Sequence, residues 1–231
     1  MKTIGLLGGM SWESTVSYYS AINREINARL GGLHSAKICL QSVDFSIIES
    51  YQHAGEWDRT ADILAESAKA VEAGGAECLV ICTNTMHKVF AEIETAISIP
   101  VIHIADATAA KVLGDGIKSV GLLGTRFTME QDFYKGRLAE KFGIDVVVPA
   151  EDERQLVHKI IYDELCKGVI KQESREAFLA VIADLYQQGA EAVILGCTEI
   201  SLLVEQADTD VPLYDTTAIH ALAAVDFALA E

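Results

Sequence analysis

Three residues near the ends of two apolar runs have side chains able to move a proton. Cys82 and Thr83 lie in LVICTNTMH, residues 79–87, and Cys197 lies in VILGCTEI, residues 193–200. A thiol titrates near 8.5, and lower at a helix N-terminus, so a thiolate at Cys197 is expected to be accessible at neutral pH. A threonine hydroxyl is a far weaker acid, close to water itself. The gap of roughly 7 units corresponds to about 10 kcal/mol, more than one hydrogen bond supplies. Thr83 is therefore a poor base, able instead to pass a proton to a carbanion or to orient a water that does. The backbone N–H groups of Asn84, Thr85, Thr198 and Glu199, at the helix starts expected next, would hold a carboxylate with help from the helix dipole.

Two stretches so alike belong to a longer repeat. TIGLLG from Thr3 lies over SVGLLG from Ser119, pairing Gly5 with Gly121. GAECLVICTNT from Gly75 lies over GAEAVILGCTE from Gly189, and SIPVIH from Ser98 over DVPLYD from Asp210. The offsets are 116, 114 and 112, in order along the chain, which implies two lobes of one topology. The same alignment sets Cys82 over Gly196 and Thr83 over Cys197. Successive strand residues point to opposite faces, so Thr83 and Cys197 are expected to share a pocket from which Cys82 turns away.

These positions need strands to carry them and helices to cover the strands. ECLVIC and EAVILG are apolar almost throughout, as in a parallel sheet covered on both faces. Between them the period becomes helical: Ala61, Leu64, Ala68 and Val71 form one stripe before Gly74 and Gly75, and Phe178, Ile182 and Leu185 another before Gly189. Thr128 and Gln131 stand at capping-box spacing ahead of a helix that closes at Gly143. The expected fold is α/β: two pseudo-symmetric doubly wound lobes, each a parallel sheet flanked by helices. The first takes residues 1–103 plus about 211–231, the second 104–210, with the active site in the cleft between them, at the carboxyl ends of the strands. The glycines of GLLGGMS match neither a P-loop nor a dinucleotide fingerprint and read as a tight turn, after which Met10 and Ser11 wall the pocket.

Bulk properties exclude several classes. A net charge of −16, with 34 acidic and 18 basic residues, argues against nucleic acid as a partner. No run approaches the roughly 20 apolar residues of a membrane span, and the N-terminus lacks the pattern of a secretory signal. The five cysteines, at 39, 78, 82, 166 and 197, show no metal-ligand spacing and no disulfide framework, which fits a reducing cytoplasm.

Taken together, GLLGGMS, TNTMH, GCTE and the duplication resemble the cofactor-independent aspartate/glutamate racemases over essentially the whole chain. GGMSWEST and LGTRFTMEQDFY are most similar to the enterobacterial L-aspartate/glutamate-specific, broad amino-acid racemase branch. The resemblance implies a small amino-acid substrate, no cofactor and a homodimer. It also implies one proton-transferring residue per lobe, on opposite faces of the substrate α-carbon. Cys197 would take the proton from the L-enantiomer. Thr83 stands where the family has its other thiol, since C-N-T here reads T-N-T. Enantiomers are equal in energy, so kcat/KM must be equal in the two directions. The expected behaviour is slow inversion, outrun by Cys197-dependent exchange of the α-hydrogen of L-substrate. Lys167 resembles a family lysine that pairs with an acidic side chain. No arginine occurs in the first-lobe loop that carries one in archaeal-type members, and Gln52 stands in as a neutral donor. His87 reads as a satisfied polar residue of a first helical turn, or as an orienting group.

Two other functions fit the same residues. A single thiol at Cys197 suffices for a decarboxylase or isomerase of small dicarboxylic acids. A two-lobed binding protein would close on a small acid without chemistry; a lowered thiol pKa at Cys197 would favour an enzyme, and an ordinary one the binder.

Overall fold

The computed structural model describes residues 1–230. The chain runs β1 (Ile4–Gly8), α1 (Trp12–Leu30), β2 (Ile38–Ser42), α2 (Phe45–Ala54), α3 (Trp57–Ala73), β3 (Cys78–Ile81), α4 (Phe90–Ala96) and β4 (Val101–Ile102). It continues as α5 (Ile104–Gly114), β5 (Ser119–Gly124), α6 (Arg126–Glu130), α7 (Asp132–Phe142), β6 (Asp145–Val147), α8 (Glu151–Asp163) and α9 (Gln172–Gln187). β7 (Ala192–Gly196), β8 (Leu213–Asp215) and α10 (Thr216–Leu229) complete it. Two compact units result: Met1–Ile104 with the chain from His220 onward, and Ala105–Ile219.

Each unit holds one parallel sheet of four strands, ordered β2-β1-β3-β4 and β6-β5-β7-β8. The register reproduces the repeat residue by residue. Gly5 lies beside Leu79 and Leu79 beside Val101; in the second sheet Gly121 lies beside Val193 and Val193 beside Leu213. The paired glycines have the same steric reason. A Cβ on Gly5 would stand 2.4 Å from Val71 of α3, and one on Gly121 would stand 2.9 Å from Leu185 of α9, closer than packed carbons allow. Each glycine lets the covering helix sit down on its sheet.

Both faces of the first sheet are covered. Leu7, Leu79 and Ile81 pack with Ile48 of α2, the Ala61, Leu64, Ala68 and Val71 stripe of α3, and Ile93 of α4. Ile4, Leu6, Cys78, Val80 and Cys82 face the other way, onto Tyr18, Ile22 and Ile26 of α1 and Ala221, Ala224 and Val225 of α10. In the second sheet Leu123, Val193 and Leu195 meet Val157 and Ile161 of α8 and the Phe178, Ile182 and Leu185 stripe of α9. Burying each such large side chain stabilises by about 1.5–3 kcal/mol.

Two expectations need correction. The second lobe was expected to end near residue 210, yet β8 pairs with β7. β8 does in its sheet what β4 does in the other, so the segment that returns to the first unit is the helix from His220 onward. The capping box expected at Thr128 and Gln131 is also displaced. Thr125 is the cap, its side chain accepting from Thr128 N, and Thr128 is buried inside α6. Gln131, at ψ 153°, breaks the run before α7, which ends at Gly143.

Candidate active site

In the first unit the polar residues gather beyond the carboxyl ends of β1 and β3. Gly9 turns the chain at φ 90°, where a Cβ would meet the Val43 carbonyl oxygen at 2.3 Å. Its N–H donates to Thr15 Oγ1 at 2.8 Å, and Ser11 then caps α1 by accepting from Ser14 N. Met10 packs in one cluster with Ile48 of α2 and Met86. That cluster brings the β1 turn, the helix bearing Gln52 and the segment after β3 to the same place. Ser11, Gln52, Thr83, Asn84 and Thr85 are all buried, Thr83 at 8 % exposure. Thr83 has left the sheet, its N–H bonding back to the Ile81 carbonyl at 2.8 Å.

Cys82, one residue earlier, belongs to the opposite face. It is fully buried against α1 and α10, and burial pushes its thiol far up. A desolvated thiol with no charge partner is inert.

In the second unit Cys197 follows β7 on the face that carries Val193 and Leu195. Its Sγ donates to Glu199 Oε2 at 3.0 Å, and Thr198 Oγ1 donates to the same oxygen at 2.7 Å. All three residues are buried. The thiol is held well above its ordinary value, first by burial, then by the Glu199 carboxylate and by Cys166; the Glu199 backbone N–H works weakly against them. The accessible thiolate expected from the sequence is therefore corrected. No α-helix starts behind Cys197. One 3₁₀ turn, Ile200–Leu202, follows it, and a longer one, Thr85–Val89, follows Thr83 and runs into α4. A single turn supplies little dipole, so the α-helical N-terminus expected at Thr198 and Glu199 is absent, and at Asn84 and Thr85 a 3₁₀ stretch takes its place ahead of α4.

Lys167 ends a 3₁₀ turn, Leu165–Lys167, after α8. Its side chain is 64 % exposed, and its ammonium lies 4.0 Å from Asp163. The adjacent Cys166 packs on the core cluster that includes Cys197.

Sequence reasoning missed the Glu199 side chain, although a carboxylate two residues after a thiol was visible as Cys-x-Glu. It also missed His103 and His220, which face His87 in the first unit, and Tyr18, which bonds His220. His87 and His103 have ring centroids 4.5 Å apart, and His87 and His220 are 5.9 Å apart. Tyr18 and His220 lie 202 positions apart in the chain, and no local pattern connects them. No described helix is long and apolar enough to cross a membrane. Among the described residues no group of His, Cys, Asp and Glu is placed to hold a metal ion.

Comparison with known proteins gives one consistent result. The model of the Asp/Glu/hydantoin racemase family matches residues 7–224. The chain is 55 % identical to a candidate Asp/Glu racemase from Yersinia pestis, with a TM-score of 0.93 and complete coverage of both chains. It is 34 % identical to an aspartate racemase homologue from Pyrococcus horikoshii, with a TM-score of 0.84 and 99 % of each chain covered. It is also 25 % identical, over 75 % of its length and 74 % of the relative's, to the broad specificity amino-acid racemase RacX of Bacillus subtilis.

Proposed function

Since this chain belongs to the Asp/Glu/hydantoin racemase family and is thereby an isomerase, we propose that it inverts aspartate, glutamate or related amino acids without a cofactor. Cys197 serves the α-proton of the L-enantiomer, and Thr83 serves the other face, directly or through a water. The observation that carries this reading is the shared register: Leu79–Val101 and Val193–Leu213 are equivalent strand pairs, and the same count onward reaches Thr83 in one unit and Cys197 in the other. By this equivalence each unit contributes one proton-transferring residue.

The raised thiol sets a condition on the chemistry. Cys197 is a neutral thiol at neutral pH, and to act as a base it needs a cation beside it. An amino-acid substrate brings one. Its α-ammonium, bound against Glu199, would offset the carboxylate and draw Cys197 toward the thiolate. Substrate binding thus generates the base. The hydroxyl of Thr83 cannot ionise in the same way, so proton transfer on its side is slower and inversion lags behind exchange. Gln52, Met10, Ser11, Asn84 and Thr85 line the first-unit side of the substrate in this reading. Thr198 flanks it on the second, and Lys167 meets the side-chain carboxylate.

A protonated Cys197 is also suited to delivering a proton to a carbanion left by loss of CO₂, which favours a decarboxylase as the second reading. The thiol's upward shift removes the criterion by which an enzyme was to be told from a binder; the enzyme class rests on the family. One experiment separates the readings. The protein is incubated with single L-amino acids in D₂O without cofactor, and in parallel with an α-disubstituted malonate. α-Deuteration of an L-amino acid ahead of D-isomer formation is expected. CO₂ release from the malonate without any deuteration would replace the racemase by the decarboxylase, and deuterium entering no faster than the D-isomer forms would end the asymmetric mechanism.

A further inference from the structure

Inside the first unit four hydrogen bonds form one string that ends on Thr83. The Tyr18 hydroxyl of α1 donates to Nδ1 of His220 at 2.8 Å, and Nε2 of His220 donates to the Ile102 carbonyl at 2.7 Å. Two residues on, the Ile104 amide donates to Nε2 of His87 at 3.3 Å, and Nδ1 of His87 donates to the Thr83 carbonyl at 2.9 Å. A carbonyl can only accept and an amide N–H can only donate, so the tautomers are dictated. His87 carries its hydrogen on Nδ1 and His220 on Nε2, and in each neutral ring both nitrogens are used. Both rings are buried, and His103 packs between His87 and Phe90, with centroids 4.5 and 4.6 Å away.

The string links the end of β4, the place where the chain re-enters the first unit and the segment after β3. Ile102 is the last residue of β4, and the chain leaves the first unit after Ile104 and re-enters it at His220. Thr83 lies beyond the last strand residue of β3, Ile81, where no neighbouring strand fixes its backbone. The orientation of a side chain on such a segment follows the peptide that bears it. The Thr83 N–H is held on the Ile81 carbonyl, and the side-chain donor to the Thr83 carbonyl is the His87 ring.

We propose that His87 is a positioning residue for Thr83, set in its tautomer by the Ile104 amide and backed by the Tyr18–His220 pair, so that the two chain crossings are coupled to the aim of the Thr83 hydroxyl. This rests on the reading of Thr83 given above. His87 touches no reacting atom. Misplacing a catalytic group by about 1 Å can cost on the order of a hundredfold in rate, so removing the donor should act on the Thr83 step alone.

The test compares His87→Ala with His87→Asn, whose amide nitrogen occupies the Nδ1 position. Deuteration of L-substrate, which needs only Cys197, and formation of the D-isomer are measured on protein checked for folding by its thermal melt. His87→Ala is expected to lower inversion about tenfold or more while deuteration stays within about twofold, and His87→Asn to recover most of the loss. A parallel fall in both rates in folded His87→Ala, or inversion unchanged, overturns the proposal. A second arm does not depend on catalysis: ¹⁵N-correlated spectra of the imidazole groups should show His87 with hydrogen on Nδ1 and a bare Nε2, and amide exchange at residues 84–86 should accelerate in His87→Ala. Hydrogen on Nε2 of His87 overturns the tether. If the wild-type protein neither deuterates nor inverts any acid, the proposed function fails, and the spectra decide the tether by themselves.

Discussion

Cys197 and Glu199 share a hydrogen bond of 3.0 Å from thiol to carboxylate, and both groups are buried. A sulfur so placed is a reservoir of one proton rather than a standing nucleophile. It differs in this from thiols that a helix end or a neighbouring cation keeps ionised.

Replacing Glu199 by Gln keeps the shape and removes the anion. The Cys197 thiol should then titrate lower, because a neighbouring negative charge no longer opposes its ionisation. Peptide-level mass spectrometry of iodoacetamide labelling against pH reads this directly. A midpoint that stays put in Glu199→Gln would mean that burial alone holds the thiol up.

Cys197→Ser should abolish both deuteration and inversion, and Thr83→Cys should speed inversion by restoring a second thiol. Chiral chromatography of the two variants measures both. Inversion that survives Cys197→Ser would remove Cys197 from the mechanism.

The histidine cluster predicts acid sensitivity. Burial lowers His220 to about 4 from its ordinary 6.5, and the groups facing its ring are Tyr18, His87 and the Ile102 carbonyl. A histidine with a depressed folded pKa contributes stability that is present above its unfolded value and lost as pH falls from about 6.5 to 4, up to about 3 kcal/mol. His87 shifts the same way, through burial and then its two histidine neighbours. Urea melts over this range should show His220→Gln with a flatter pH dependence than the wild-type protein.

Alkaline pH acts through the buried thiols. Burial raises Cys78 to about 11, and Cys82 is raised further. The unfolded chain loses these protons first, so stability falls above the ordinary thiol range, by about 1.4 kcal/mol per pH unit for each thiol. Cys78→Ala should lower stability at pH 7 and flatten the decline between pH 9 and 11, as read by denaturant titration.

Gly9→Ala should destabilise the first unit by more than about 1 kcal/mol, because a Cβ meets the Val43 backbone and the positive φ is unfavourable for alanine. The shift would also move Met10 and Ser11, so the loss of activity should exceed what the melt explains.

The duplication was legible because register is periodic: three ordered matches paired β1, β3 and β4 with β5, β7 and β8, and gave the opposite orientation of Cys82, whereas the pairing of β2 with β6 left no match in the sequence. The helical stripes of α3 and α9 were legible for the same reason. What escaped were features decided by distance or by a single turn. Burial and the Glu199 carboxylate raise the Cys197 thiol, and neither its depth nor the carboxylate's aim can be read from the local sequence; nor does any composition rule distinguish one turn of 3₁₀ helix from the start of an α-helix. The return of α10 was expected, but the boundary was set too early because β8 was counted with the wrong sheet.

That return governs the order in which the molecule can be completed. The second unit is one unbroken stretch of chain and has all of its parts once residue 219 is made. The first unit waits for Ala221, Ala224, Val225 and Ala228 to cover one face of a sheet whose first strand was synthesised more than 200 residues earlier. During synthesis the later half is therefore able to mature before the earlier one, and a nascent chain stopped at residue 219 would present Ile4, Leu6 and Val80 with part of their cover missing.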